Sequence, residues 1–244
     1  NIEIMARTGG FQENVNVTET EEKENTGGYT PGFFDIDHPF NRFMNKAGTF
    51  IVANLLFLLC CVPIATIGAS LSALNAVMYE YRKHEDVKVF STFFGAFKEN
   101  FLKATVGWIT GAALLSMGVV GLLYSLKAAS LVAMFLGFAG FGCLTFISLC
   151  FLTFYFGLIA KYDNDIVSQL KNGVLLGVTY VRWGVLIWLL WIIPLGLFYL
   201  FWDILMYVGF VWPMFGFSVL VNITVMIYNR VFMLVKSREI TDEY

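Results

Sequence analysis

Cys61-Val62-Pro63-Ile64-Ala65-Thr66-Ile67-Gly68-Ala69-Ser70 interrupts an apolar run that extends from Ala47 to Tyr79. Its reading sets how the chain folds. An unbroken helix over that run would be about 50 Å long at about 1.5 Å per residue, against a hydrocarbon core about 30 Å thick. Pro63 has no amide hydrogen to donate and crowds the preceding turn, while Thr66 and Ser70 are of the type that caps a new helix. Gly68 tolerates backbone angles closed to other residues. The stretch Pro63–Ser70 is therefore expected to be the tight turn of a helical hairpin. Pro63, Thr66 and Gly68 are its candidate turn residues, and its arms cover about 47–62 and 67–82.

The hairpin is the start of a larger pattern. Further apolar blocks lie at about 104–125, 129–160, 183–202 and 209–230. The whole chain has 244 residues, of which 58% are hydrophobic and 14% charged, with a mean hydropathy of +0.70. A soluble domain carries roughly 25% charged residues because its surface faces water. Too few charges are present here to cover such a globule, so the lipid bilayer is expected as the solvent. The fold class expected is all-α, a polytopic membrane bundle of about six transmembrane helices.

The cations decide between span counts, because Lys and Arg collect in cytoplasmic loops. With six spans and a cytoplasmic N-terminus, fifteen of the 16 Lys and Arg residues fall inside and Lys127 alone falls outside. Reading 47–79 as one span puts Arg7, Lys23, Arg42 and Lys46 on the wrong side. The expectation is a multi-pass membrane protein with both termini cytoplasmic. Its outer connections are short, about 63–66, 126–128 and 203–208, so a partner must be met in the bilayer or on the cytoplasmic face. Residues 1–32, polar and rich in Glu and Gly, are expected to form a disordered acidic cytoplasmic tail ahead of a single transmembrane domain, 33–244.

Motifs for chemistry are missing. The sequence holds no GxxxxGK[ST], HExxH or GxSxG, and no carboxylate pair lies inside a span. Cys60, Cys61, Cys143 and Cys150 lie in apolar runs without CxxC spacing, which reads as packing rather than metal binding or a disulfide framework. No enzyme activity, cofactor, metal or nucleic-acid partner is expected. Polar residues inside the spans, with Asn54, Asn75 and Asn222 the best candidates, fit either hydrogen bonding between helices or a path for a polar solute. Gly107-x-x-x-Gly111 and Ala129-x-x-x-Ala133-x-x-x-Gly137 are small-residue stripes suited to close helix packing. Trp188 and Trp191, one turn apart, suit packing against helices or lipid, and also stacking on a sugar ring.

Between the second and third spans, Val87, Phe90, Phe94, Phe97 and Phe101 recur at spacings of three and four, giving an amphipathic cytoplasmic helix with one apolar face. Two readings fit: a helix lying on anionic lipid, and a partner-docking face made of Phe90, Phe94, Phe97 and Phe101.

Phe33-Phe34-Asp35, Asn54-Leu55-Leu56, the Cys61–Ser70 stretch and the segment from Phe93 to Lys103 (FFGAFKENFLK) together resemble the YesL-like family of bacterial integral membrane proteins, a domain of unknown function. The resemblance runs from Phe33 to about Ile109. It implies no catalytic or binding residue. It does imply company, since members tend to be encoded beside carbohydrate ABC importers. The function expected on that basis is a non-catalytic accessory subunit of such an importer, its partners the lipid bilayer and ABC permease subunits. The other reading is a passive transporter for a small solute.

Overall fold

A computed structural model of the chain describes residues 39–84, 87–200 and 211–242. Among these residues seven helices form and no strand does. They are α1 Pro39–Cys60, α2 Ile67–Tyr81, α3 Val89–Ser125, α4 Leu131–Ile159, α5 Ile166–Thr179, α6 Val181–Leu200 and α7 Val211–Asp242. The chain divides into two compact units, Asn1–Gly48 and Thr49–Tyr244. The first enters the described structure as the opening turns of α1, and the bundle belongs to the second. The expected tail, 1–32, and the expected outer connection, 203–208, lie outside the described residues.

The hairpin forms where Pro63 predicts it. α1 ends at Cys60, a 3₁₀ turn covers Ile64–Thr66, and α2 starts at Ile67. Thr66 ties the turn: its hydroxyl lies 2.6 Å from the Cys60 carbonyl oxygen and 2.7 Å from that of Pro63. It does not cap α2 with its side chain. Ser70 donates to the Thr66 carbonyl at 2.9 Å, closing the first turn of α2 from within.

Gly68 corrects the expectation. It sits inside α2 with ordinary helical backbone, and no described glycine has a positive φ. What requires glycine there is proximity. A Cβ at Gly68 would lie 2.6 Å from the Ala104 carbonyl oxygen and 2.7 Å from the Trp108 Cβ of α3.

α3 brings the second difference. The amphipathic segment and the third span are one helix of 37 residues. Nothing between Phe101 and Thr105 breaks a helix, since Leu, Lys and Ala all favour it. At about 1.5 Å per residue α3 is about 55 Å long, so it exceeds the hydrocarbon thickness by about 25 Å. Its buried positions run as one stripe from Val89 and Phe93 through Asn100, Ala104, Gly107 and Gly111 to Gly118, Gly121 and Ser125. The spacings of three, four and seven keep them on one face.

That face packs on α2 and α4. Ala69, Ala104, Phe151, Tyr155, Phe156 and Ile159 form a buried cluster, with Phe97, Trp108 and Leu152 against it. The Gly107–Gly111 stripe works as expected, its glycines lying against Tyr155 and Leu152 of α4. The second stripe does so only at Gly137, which meets Ser125, while Ala129 and Ala133 are exposed.

The segment 161–182, expected as a loop, contains α5. Asp165 caps it by accepting from the Val167 amide at 3.2 Å. Gly177 allows close approach, for a Cβ there would clash with the Cys150 backbone carbonyl of α4. α5 and α6 meet at Tyr180 with a bend of 90°.

Among the described residues three helices are long and apolar enough to cross a membrane: Val89–Ser125, Leu131–Ile159 and Met214–Ser237. A fourth results if the bent pair α5 and α6 is one broken span. The apolar part of α1, Met44–Cys60, and the 15 residues of α2 are shorter than the about 20 residues of an upright span. The molecule is a membrane-embedded all-helical bundle.

Candidate functional site

Among the described residues we consider three places: an exposed apolar face, a cleft and a recess. The first is the N-terminal part of α3. Phe93 there is fully buried, while Phe90, Phe94 and Phe101 are 61%, 48% and 41% exposed. Phe97 does not share their exposure: it packs on the core cluster and stacks on Phe93, ring centroids 6.3 Å apart. Three of the four candidate docking phenylalanines therefore form the outward face. The fourth belongs to the rear face that holds the helix in place.

The second place is a polar cleft of about 760 Å³ where the ends of α2 and α4 meet the start of α3. Arg82, Lys83, Glu99, Asn100, Lys161 and Asp163 are among its lining residues. Two of its acids already have lysine partners, Glu80 with Lys83 at 3.4 Å and Asp163 with Lys103. The Lys161 ammonium donates to Asn229 Oδ1 at 2.7 Å and lies over the rings of Phe232, Tyr79 and Tyr162 at 5.0, 5.4 and 5.8 Å. Burial, and then repulsion from Lys83, push it below the usual lysine range. Sequence reasoning missed this cleft, because its residues come from segments up to about 150 positions apart and share no motif.

The third place is a recess of about 220 Å³ between α2, α4, α6 and α7. Trp188 and Trp191 both line it, with Asn75, Thr153, Thr224 and Tyr228. The tryptophans therefore share one wall, as their spacing suggests.

The three candidate asparagines do not gather. Asn54, fully buried, accepts at Oδ1 from the Ser218 amide at 2.9 Å and lies 3.3 Å from its hydroxyl, joining α1 to α7. Asn75 lies at the recess. Asn222 accepts from Arg82 Nη1 at 3.2 Å, near the polar end of α2. Neither the cleft nor the recess is lined by all three. Asn54 and Asn222 instead hydrogen-bond between helices, which lowers the cost of burying amides in lipid.

Neither a curated protein nor a solved structure matches the chain. A family model does match, over the stretch that begins inside α1, includes the hairpin and the phenylalanine face, and ends at the last residue of α3. Residues 50–125 carry the pattern of the family described as Protein of unknown function, DUF624, the family that contains the YesL-like proteins.

Proposed function

We propose that this protein is a non-catalytic integral membrane accessory subunit that docks on a bacterial carbohydrate ABC importer through the start of α3. In this reading the chain is multi-pass in the bacterial plasma membrane with both termini cytoplasmic, so the phenylalanine face stands at the cytoplasmic surface. One observation carries the proposal: Phe90, Phe94 and Phe101 lie exposed on a helix that is continuous with a membrane span, backed by the buried Phe93. Large exposed apolar patches mark interaction sites. The carbohydrate importer comes from the company that YesL-like proteins keep.

The test is a pull-down from native membranes of the wild type and of Phe94→Glu, with sugar uptake measured alongside. The wild type is expected to bring down permease subunits and the variant to lose them while staying inserted. A wild type that captures no transporter subunit, with uptake unchanged on deletion, refutes the proposal. A helix that only lies on lipid gives a different result, loss of membrane contact at that face with no partner released.

The recess beside Trp188 and Trp191 favours a second reading, a passive transporter for a small solute. Its signature is solute flux by the purified protein alone in liposomes.

A further inference from the structure

The cleft where the ends of α2 and α4 meet the start of α3 holds a cation with no carboxylate partner among the described residues. Lys161 follows the last residue of α4 by two positions and keeps part of its surface open. Its ammonium donates to Asn229 Oδ1 and stands over the rings of Tyr79 and Tyr162, and all three of these side chains line the cleft. The ammonium therefore borders the open volume. An amide oxygen and aromatic faces orient a cation without cancelling its charge. The charged neighbour felt at this ammonium is a second cation, Lys83.

The acids of the cleft leave that charge standing. Glu80 pairs with Lys83, and Asp163 pairs with Lys103, which is not itself a lining residue. Glu99, on the α3 wall, has no ion-pair partner among the described residues. Nor do the described residues hold a group of three or more His, Cys, Asp or Glu side chains able to bind a metal ion. At about 760 Å³ the cleft falls in the range of ligand sites, about 300–1,000 Å³. A phosphoryl group carries several acceptor oxygens on one centre, so it can reach two ammonium groups at once. We propose that the cleft takes a phosphoryl group, its oxygens shared between the Lys161 and Lys83 ammoniums, carried by a phospholipid headgroup or by a soluble phosphate ester. Phe90, Phe94 and Phe101 do not line the cleft, so the site stands apart from the docking face.

The experiment uses the purified full chain in phosphate-free detergent. Dioleoylphosphatidic acid and dioleoylglycerol, the same tails with and without the phosphate, are titrated and counted on the protein by native mass spectrometry. Inorganic phosphate is titrated by calorimetry. The wild type is expected to bind the phosphatidic acid saturably and about tenfold more tightly than dioleoylglycerol, the discrimination one charge-assisted hydrogen bond gives. Lys161→Gln is expected to remove most of that preference and Lys161→Arg to retain it. Lys83→Gln is expected to weaken phosphatidic acid binding about threefold, and Glu99→Gln to leave it unchanged or tighter, since a like charge is removed. Saturable binding of inorganic phosphate, lost in Lys161→Gln, identifies a soluble phosphate ester as the carrier. Binding of the phosphatidic acid alone, lost in the same variant, identifies a lipid, and either result supports the proposal. The proposal is overturned if inorganic phosphate does not bind and the two lipids bind alike. Unchanged binding in folded Lys161→Gln overturns it too. If Lys161→Gln does not fold, Lys83→Gln decides, and an unchanged affinity there overturns the site.

Discussion

The Tyr155 hydroxyl on α4 donates to the Lys103 carbonyl on α3 at 2.7 Å. Lys103 lies one helical turn before Gly107, and the Tyr155 ring occupies the space where a Gly107 side chain would be. One side chain thus bonds and fills the α3–α4 contact. Tyr155→Phe keeps the filling and loses the bond, so it is expected to cost about 0.5–1.5 kcal/mol. Gly107→Ala forces the ring aside and is expected to cost about 1–3 kcal/mol. Thermal unfolding in detergent checks both; a Gly107→Ala protein as stable as the wild type would show that the two helices do not meet there.

Gly68 and Gly95 make a matched pair. A methyl group on Gly68 meets backbone of α3, which cannot swing away, whereas one on Gly95 meets nothing within 4 Å. Gly68→Ala and Gly68→Val are expected to lower the yield of folded protein and the melting temperature. Gly95→Ala is expected to be neutral or to stabilise by up to about 1 kcal/mol through helix propensity. Expression and melting of the three variants, read side by side, test the placement of α2 on α3.

Phe93 and Phe94 are neighbours in sequence with opposite surroundings, one fully buried and one 48% exposed. Phe93→Ala is expected to cost about 3–5 kcal/mol and to loosen the start of α3. Phe94→Ala is expected to change stability little. Similar losses in chemical-denaturation midpoints for the two would mean that this end of α3 is seated differently.

For topology, Thr20→Cys and Asp242→Cys are placed singly in a background whose Cys60, Cys61, Cys143 and Cys150 are replaced. Both sites are expected to resist a membrane-impermeant maleimide applied to intact cells, as the distribution of Lys and Arg requires. Labelling at either site before lysis would sink the proposed orientation.

What the sequence disclosed was whatever a single segment can carry. Pro63 marked the hairpin because a missing donor favours a break, although the protein carries Pro194 inside α6 without one. The blocks now seen as α4, α6 and α7 were legible from hydropathy alone. α5 was missed although Asp165 and the apolar positions 166, 170 and 174 are a helix signature, because a short helix among polar residues leaves no long apolar block. The union of the amphipathic segment with the third span was missed for another reason: a change in surroundings along the chain looks like a boundary, yet nothing in residues 101–105 stops the backbone. Gly68 was singled out for the wrong property, since closeness to Ala104 depends on a helix about 36 positions away. Asn54, Asn75 and Asn222 were alike in sequence and differ in role for the same reason. Partners such as Ser218 and Arg82 are set by packing, which one-dimensional spacing does not record.

The tight seat of α3 on Gly68 also divides that helix into two parts of unequal length. From Ala104 to the Val89 end is about 22 Å along the axis, and from Ala104 to the Ser125 end about 32 Å. The Gly121 and Ser125 end meets Phe141 and Gly137 of α4. The close contact at Gly68 thus divides α3 unequally, with the shorter part toward the phenylalanines and the longer part seated on α4 as far as Ser125.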